Sequence, residues 1–239
     1  MYSFSGRIRY SECDHEKKLS LPALINYFQD CSTQHSEDIG MGFDYMEPLH
    51  VVWVLAAWQI VIHRFPKIGE AVEIGTLPYD FKGFVGLRNF SMKSADGELL
   101  AVANSQWTLI STDTMKPMKP TEKMLEAYVV EPKLEMDYAG RKITIPEECH
   151  REESFQVLRN HLDTNNHVNN GQYVSMAAAY IPEGRSISQM RAEYKIQARL
   201  GDIIVPMVSV EETKAYVSLQ NEQGQVYCNV QFMFRTKRL

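Results

Sequence analysis

The period of the apolar positions changes along the chain, and the changes mark out its elements. Leu21, Leu24, Ile25 and Phe28 fall at i, i+3, i+4 and i+7, one face of a helix running from residue 20 to about 38. Ser20 suits the N-cap, and Pro22 is tolerated in the first turn, where a missing N–H breaks no internal bond. Gly40 and Gly42 stop the helix. Ahead of it, residues 6–10 read as a short strand followed by a polar turn. Behind it, residues 50–64, 71–77, 85–93 and 99–111 are rich in Val, Ile, Trp and Phe and bounded by Gly, Pro or Asp, which predicts four strands.

The second half repeats this order: a strand at 153–159, a polar turn, a helix from about 171 to 181, then strands at 189–197, 203–211, 214–220 and 225–236. Particular residues echo as well. Asp14 with Leu19 matches Asp163 with Val168, and Trp58-Gln-Ile60 before Gly69-Glu70 matches Tyr194-Lys-Ile196 before Gly201-Asp202. Asp96-Gly97 parallels Gln223-Gly224, and Asn104 with Gln106 parallels Asn229 with Gln231. Duplication is the economical explanation. Residues 113–151 carry Pro117, Pro120, Pro132 and Pro146 among many charges and read as a connection laid over the surface. The expected organisation is an α+β fold of an N-terminal domain (1–125), a linker (126–150) and a C-terminal domain (151–239), each domain a helix on a curved antiparallel sheet.

Composition narrows the function classes. A net charge of −5 without a basic, aromatic-interleaved stripe argues against a nucleic-acid partner. The longest apolar run, from Val51 to Ala57, falls far short of the ~20 residues of a membrane helix. No apolar or Arg-rich leader opens the chain, which leads us to expect a cytoplasmic protein. Cys13, Cys31, Cys149 and Cys228 form no CxxC and read as free thiols rather than a redox pair or zinc knuckle.

The two polar turns ahead of the helices differ, and the difference is chemical. The first reads Asp14-His-Glu16-Lys-Lys18-Leu19; the second reads Asp163-Thr-Asn165-Asn-His167-Val-Asn169-Asn170. The second puts a carboxylate, a carboxamide and an imidazole at i, i+2 and i+4, on one side of an extended loop. Carboxylate with imidazole can activate water or a nucleophile, the amide can hold a carbonyl, and N–H groups at the helix start can receive an oxyanion. The same residues also spell an ordinary turn with Asn169 or Asn170 as a helix cap. A third reading, a metal held by His161, Asp163, Asn165 and His167, lacks a second ligand cluster, and Asn is a poor partner for His on a transition metal.

Leu162 to Asn170 with Tyr173 resembles the active-site segment of the acyl-acyl carrier protein thioesterases. Residues 53–73, the Gly86-Leu-Arg88 turn and Glu193-Tyr194-Lys195 extend the resemblance through nearly the whole chain. It implies two tandem hot-dog domains, each a long helix wrapped by an antiparallel sheet. The implied reaction is hydrolysis of the thioester joining a fatty acyl chain to acyl carrier protein, ending chain elongation, with no metal or organic cofactor. By position, Asp163 would be the nucleophile or water-activating base, His167 its polarising partner, and Asn165 the group that holds carbonyl or water. Plant members carry an acidic residue and then Cys after the Glu-Tyr-basic segment, where this chain has Gln197 and Ala198. A cysteine nucleophile is therefore not expected; Gln197 can orient water but cannot be a base. Plant members begin with a plastid transit peptide, so a bacterial form is expected here, and a homodimer is a family-level expectation.

The resemblance also places the acyl chain in the first repeat, with Leu24, Phe28, Trp53, Leu55 and Trp58 as candidate wall residues, although each is better explained as plain core, since apolar residues on a helix face or buried strand need no ligand. Arg64, Lys67, Lys116, Lys119 and Lys123, with Arg235, Lys237 and Arg238 as a second patch, are candidate contacts for the carrier protein, although solvated surface is the default for such charges. Two other functions fit the same residues: an acyl-CoA thioesterase with identical chemistry, and a non-catalytic module that holds an acyl chain.

Overall fold

The computed structural model describes residues 1–163 and 165–236. The chain forms two compact units, the first comprising Met1–Ala56 and Ile62–Tyr138, the second Ala57–Val61 and the chain from Ala139 onward.

The first unit contains β1 (Tyr2–Arg7), α1 (Leu21–Asp38), α2 (Phe43–Met46), most of β2 (Val51–Ile62), β3 (Ala71–Lys82), β4 (Val85–Ser94), β5 (Leu99–Ser111) and α3 (Glu122–Ala127). β1, β3, β4 and β5 pair in that order, each antiparallel to the next. The Ser20 side chain accepts the Ala23 N–H and starts α1. At its other end Gly40 takes φ +71°, and the N–H groups of Met41 and Gly40 return to the carbonyls of Ser36 and Glu37, a closed C-cap that requires the left-handed glycine. Leu21, Leu24, Ile25, Phe28 and Cys31 make the buried face of α1, with the Phe28 ring 5.3 Å from that of Phe90 on β4. Each such apolar side chain contributes about 1.5–3 kcal/mol through removal from water.

The first strand lies earlier than residues 6–10. It pairs from Tyr2 opposite Thr76 to Arg7 opposite Ala71, because the alternation Tyr2-Ser-Phe4-Ser turns the aromatic rings inward. Residues 10–12 instead form a 3-10 turn, with the Glu12 carboxylate accepting the Arg9 N–H at 2.7 Å.

The second unit holds β6 (His150–Arg151), β7 (Phe155–Gln156), α4 (Asn170–Ala178), β8 (Ile187–Tyr194), β9 (Ile203–Val210), β10 (Lys214–Gln220) and β11 (Val226–Phe234). The Ala57–Val61 segment of β2 pairs with β8, followed by β11, β10 and β9, all antiparallel. Val174 and Ala177 of α4 are buried on this sheet. The strand expected at 153–159 shrinks to Phe155–Gln156, since residues 159–161 close into another 3-10 turn.

Hydrogen bonds establish the internal repeat more firmly than residue likeness does. Gly69 and Gly201, both at positive φ, donate to Ile8 and Val157, whose own N–H groups return to Glu70 and Asp202. The turns at Gly97 and Gly224 close identically, donating to Ser94 and Asn221. Two of the sequence echoes need correction. His63 and Lys195 make the same bond, to the carbonyls of Leu100 and Tyr227, so Ile62 rather than Trp58 stands at the place of Tyr194. Likewise the bulges after Met92 and Leu219 align Ala101 with Cys228, which puts Asn104 at the place of Gln231 rather than Asn229. The error comes from placing gaps by side-chain similarity, which ignores register.

The connection between the halves begins with α3 and continues as an irregular strap pinned by strand side chains. In the first unit, Asn89 Oδ1 accepts the Leu134 N–H at 3.0 Å and the Tyr138 hydroxyl at 2.9 Å. In the second, Gln59 accepts the Ala139 N–H at 2.8 Å, Glu193 accepts that of Ile143 at 3.2 Å, and Arg191 donates to the Lys142 and Gly140 carbonyls.

Candidate active site

The loop of the second unit is a closed turn built around one carboxylate. The Asp163 N–H donates to the His167 carbonyl at 2.8 Å, and the Asn166 N–H returns to the Asp163 carbonyl at 3.2 Å. Inside that ring, Asp163 Oδ1 accepts the N–H groups of Asn165 (2.8 Å) and His167 (3.2 Å). Asn166 sits at φ +59°, a left-handed conformation that asparagine tolerates better than most residues. Leu162 and Val168 bridge across the base of the turn. Asn165 is exposed, and Asp163 and His167 are half-buried.

The loop is tied to the rest of the unit on two sides. Asn169 caps α4 by accepting the Gly171 N–H at 2.8 Å, and its own N–H bonds the His161 carbonyl. Val168 donates to the Ala198 carbonyl at 3.0 Å, while the Ala198 N–H donates to the Tyr173 hydroxyl at 2.8 Å. The Tyr194 hydroxyl donates to the Asn170 carbonyl at 3.0 Å, and burial holds its pKa well above the ordinary tyrosine value. The backbone of Ala198 is thereby fixed to both loop and helix, which places exposed Gln197 directly beside the segment that meets Val168.

The Asp163 carboxylate thus accepts the backbone N–H of His167. In the first turn of α4, Gly171 donates to the Asn169 side chain, and Gln172 and Tyr173 donate to its carbonyl. Among the described residues no group of three or more His, Cys, Asp or Glu is placed to hold a metal, and His161 Nδ1 accepts the Leu158 N–H at 3.0 Å.

The first unit contains the same loop with different chemistry. Asp14 Oδ1 accepts the N–H groups of Glu16 (2.9 Å) and Lys18 (3.0 Å), Lys17 takes φ +61°, and Leu19 donates to the Pro66 carbonyl at 2.8 Å, as Val168 does to Ala198. In place of carboxamide and imidazole stands an ion pair, Lys18 Nζ to Glu16 Oε2 at 2.7 Å, which lowers the Glu16 pKa and raises that of Lys18.

The apolar candidates separate. Leu24, Phe28 and Leu55 are buried core of the first unit, and Trp53 is partly buried with its ring 6.1 Å from that of Phe81. Trp58 is fully buried but lies in the strand segment that clusters with the second unit, opposite Ala192. Of the cationic candidates, Arg64 is already spent on Glu70 and Glu98, which pushes its pKa upward, while Lys67, Lys116 and Lys119 are exposed and Lys123 lies over the Tyr45 ring at 4.6 Å. Exposed Arg235 donates its backbone N–H to the Ser186 carbonyl; Lys237 and Arg238 lie outside the described residues.

Sequence reasoning missed a buried polar cluster in the first unit. The Arg88 guanidinium donates to His35 Nδ1 at 3.0 Å and Thr76 Oγ1 at 3.2 Å, and lies 5.6 Å from the centre of the Tyr128 ring. Burial brings its pKa down to about 10. Gly86-Leu-Arg88 drew notice only as part of the family resemblance, and no local pattern identifies the partners of Arg88.

A helix on an antiparallel sheet, present twice in one chain, defines a double hot-dog protein. The chain belongs to the acyl-ACP thioesterase family: residues 1–128 match its N-terminal domain and residues 145–236 its C-terminal domain. Among similar proteins is the chloroplastic oleoyl-acyl carrier protein thioesterase 2 of Arabidopsis thaliana, 26% identical over 88% of this chain and 63% of that protein. A chloroplastic acyl-carrier-protein hydrolase of Cuphea viscosissima is 24% identical over 89% of this chain and 54% of its own length. The chain thus spans roughly three-fifths of the curated relatives it matches. The fold also matches the crystal structure of an acyl-ACP thioesterase from Bacteroides thetaiotaomicron (TM-score 0.89, 20% identity, 98% of this chain and 97% of that one). It matches a 12:0-ACP thioesterase from Umbellularia californica as well (TM-score 0.88, 19% identity, 99% and 97%).

Proposed function

We propose that the protein hydrolyses fatty acyl-acyl carrier protein thioesters to free fatty acid and holo carrier protein, ending chain elongation. The observation that carries this reading is the contrast between the two loops: one scaffold, held by the same bonds, presents Asn165 and His167 in the second unit and an inert Glu16–Lys18 ion pair in the first. A module that only held an acyl chain would have no use for that asymmetry. The reaction adds water to the thioester carbonyl, forms a tetrahedral oxyanion and breaks the C–S bond. Asn165 supplies a carboxamide donor for the carbonyl oxygen, Asp163 and His167 are the loop groups able to accept a proton, and the Gln197 amide can orient water. No metal or cofactor enters the scheme. Leu24, Phe28, Trp53 and Leu55 are the proposed acyl contacts, and a cytoplasmic homodimer is the accompanying proposal from the family.

The test is thiol and fatty-acid release from a chain-length panel of acyl-carrier-protein and acyl-CoA substrates, with folded Asp163→Ala beside wild type. Faster release from carrier protein that is abolished in the variant supports the reading. Faster release from CoA redirects it to an acyl-CoA thioesterase. Release from neither, or undiminished release by the variant, overturns it.

A further inference from the structure

We propose that Arg88 forms an anion site inside the first unit, taking a carboxylate side-on through its Nε and Nη2 hydrogens. The residue is 8% exposed, and its hydrogen-bond and ring partners are neutral. Nη1 donates to His35 Nδ1 at 3.0 Å and to Thr76 Oγ1 at 3.2 Å. A guanidinium can only donate, so His35 Nδ1 is the acceptor and the imidazole carries no charge. The remaining neighbour is the face of the Tyr128 ring, 5.6 Å away. The ionisable groups that act on the charge of Arg88 are Tyr128 and Cys31; burial raises the pKa of each, so neither supplies a negative charge at neutral pH. Arg88 keeps its own proton there, since burial lowers its pKa only to about 10. Among the described residues no carboxylate is paired with it. Removing a charge from water is costly, and a buried one is normally met by its opposite.

The surrounding hydrogen bonds narrow down what is missing. Thr76 Oγ1 donates its own proton to the Asn89 carbonyl at 3.0 Å, the Tyr128 hydroxyl donates to Ser36 Oγ at 2.9 Å, and Ser36 Oγ donates to the Ser32 carbonyl at 2.9 Å. Those protons are committed, as are both hydrogens of Nη1, whereas Nε and Nη2 have no acceptor among the described residues. Nε and Nη2 offer two parallel N–H groups along one edge of the guanidinium, the geometry that receives both oxygens of a carboxylate. The same face of β4 is apolar on either side of Arg88. A Cβ on Gly86 would lie 3.2 Å from the Phe81 ring and 3.3 Å from that of Trp53, and Phe90 packs on Phe28. A two-donor edge in such surroundings suits a carboxylate from either of two sources: a small acid from solvent, or the head of a free long-chain acid. Neither source requires thioester hydrolysis by this chain.

The NMR resonance of Arg88 Nε–H, assigned through the Arg88 backbone, reports the site directly in the whole chain at neutral pH. Acetate and dodecanoate are titrated separately in low-salt, halide-free buffer, with affinity read by calorimetry alongside. The resonance is expected to shift to saturation with at least one of the two acids. Arg88→Lys keeps a positive charge and loses the two-donor edge, so its affinity for that acid should fall by about tenfold or more. Dodecanoate bound about tenfold or more tighter than acetate assigns the site to a long-chain acid; any smaller difference, or a response to acetate alone, assigns it to a small one. A resonance that stays still with both acids overturns the proposal, and so does an affinity that Arg88→Lys leaves unchanged. The wild-type titration decides by itself where Arg88→Lys does not fold.

Discussion

The Tyr173 hydroxyl accepts the buried N–H of Ala198 at 2.8 Å, joining the helix that follows the loop to the segment that carries Gln197. Its ring is 3% exposed and Ala198 is 0% exposed, so water cannot take over the bond. Tyr173→Phe leaves that N–H without an acceptor and is expected to cost about 1–3 kcal/mol. The Ala198 carbonyl also accepts from Val168, so the loop should loosen with it. A fall in the urea midpoint together with reduced turnover checks the prediction; unchanged values in both would mean that Ala198 finds another partner.

Much of this arrangement was legible in the sequence, and the part that was not has a common cause. The limits of α1 followed from Ser20, the 3.6-residue period and Gly40, all local signals. The strands at β3 to β5 and β9 to β11 followed from β-branched runs and turn residues, and the special loop from its composition. The strap did not: Asn89, Gln59, Glu193 and Arg191 read as scattered polar residues in apolar strands, and their partners lie between 45 and 80 positions away in sequence. The backbone bonds of the Asp163 carboxylate, repeated at Asp14, were hidden for a different reason: a carboxylate two and four residues ahead of an amide and an imidazole reads as chemistry, and sequence does not show which N–H groups it accepts.

Asn169 should behave as an N-cap at the start of α4, whatever its part in the reaction. Its side chain accepts the Gly171 N–H at 2.8 Å. Asn169→Ala is expected to lose about 1 kcal/mol, and Asn169→Ser or Asn169→Asp to recover most of it. Thermal denaturation of the three variants gives the order; an alanine variant as stable as wild type would assign the capping to another group.

His35 should make the protein sensitive to mild acid. Burial, followed by the neighbouring Arg88 charge, lowers its pKa from the ordinary 6.5 to about 4. In the unfolded chain the imidazole is protonated as pH falls below about 6.5, whereas in the folded protein it stays neutral until about 4. The unfolded state therefore binds more protons in this window, and stability declines as pH drops through it. His35→Gln, which can still accept from Arg88, should flatten that decline. Urea midpoints between pH 4 and 7 test this, and parallel pH curves for the two proteins would exclude His35 as the source.

Asn89 should govern how tightly the strap lies on the first unit. It accepts from Leu134 and Tyr138 and donates to the Ala103 carbonyl at 3.0 Å, all from a site with 0% exposure. Asn89→Ala orphans buried groups at a cost of about 1–3 kcal/mol each before any relaxation. Freeing of the strap should appear as faster limited proteolysis between residues 129 and 138. Equal cleavage rates in variant and wild type would show that Asn89 does not anchor it.

Under the proposed function, a carrier protein that docks through charge must use cations that have no carboxylate partner to give up. Arg64 fails this condition, since Glu70 and Glu98 hold its guanidinium at 2.7 and 2.6 Å. Lys116 and Lys119 satisfy it, both being exposed, and Lys123 offers its charge from over the Tyr45 ring. Charges at the rim of an interface act chiefly on encounter, so reversing these three lysines to Glu should raise KM for carrier-linked substrate and weaken its salt dependence. Hydrolysis of a small acyl thioester should stay as it was, since the reversals leave the loop around Asp163 untouched. An unchanged KM for the carrier-linked substrate would remove this face from consideration.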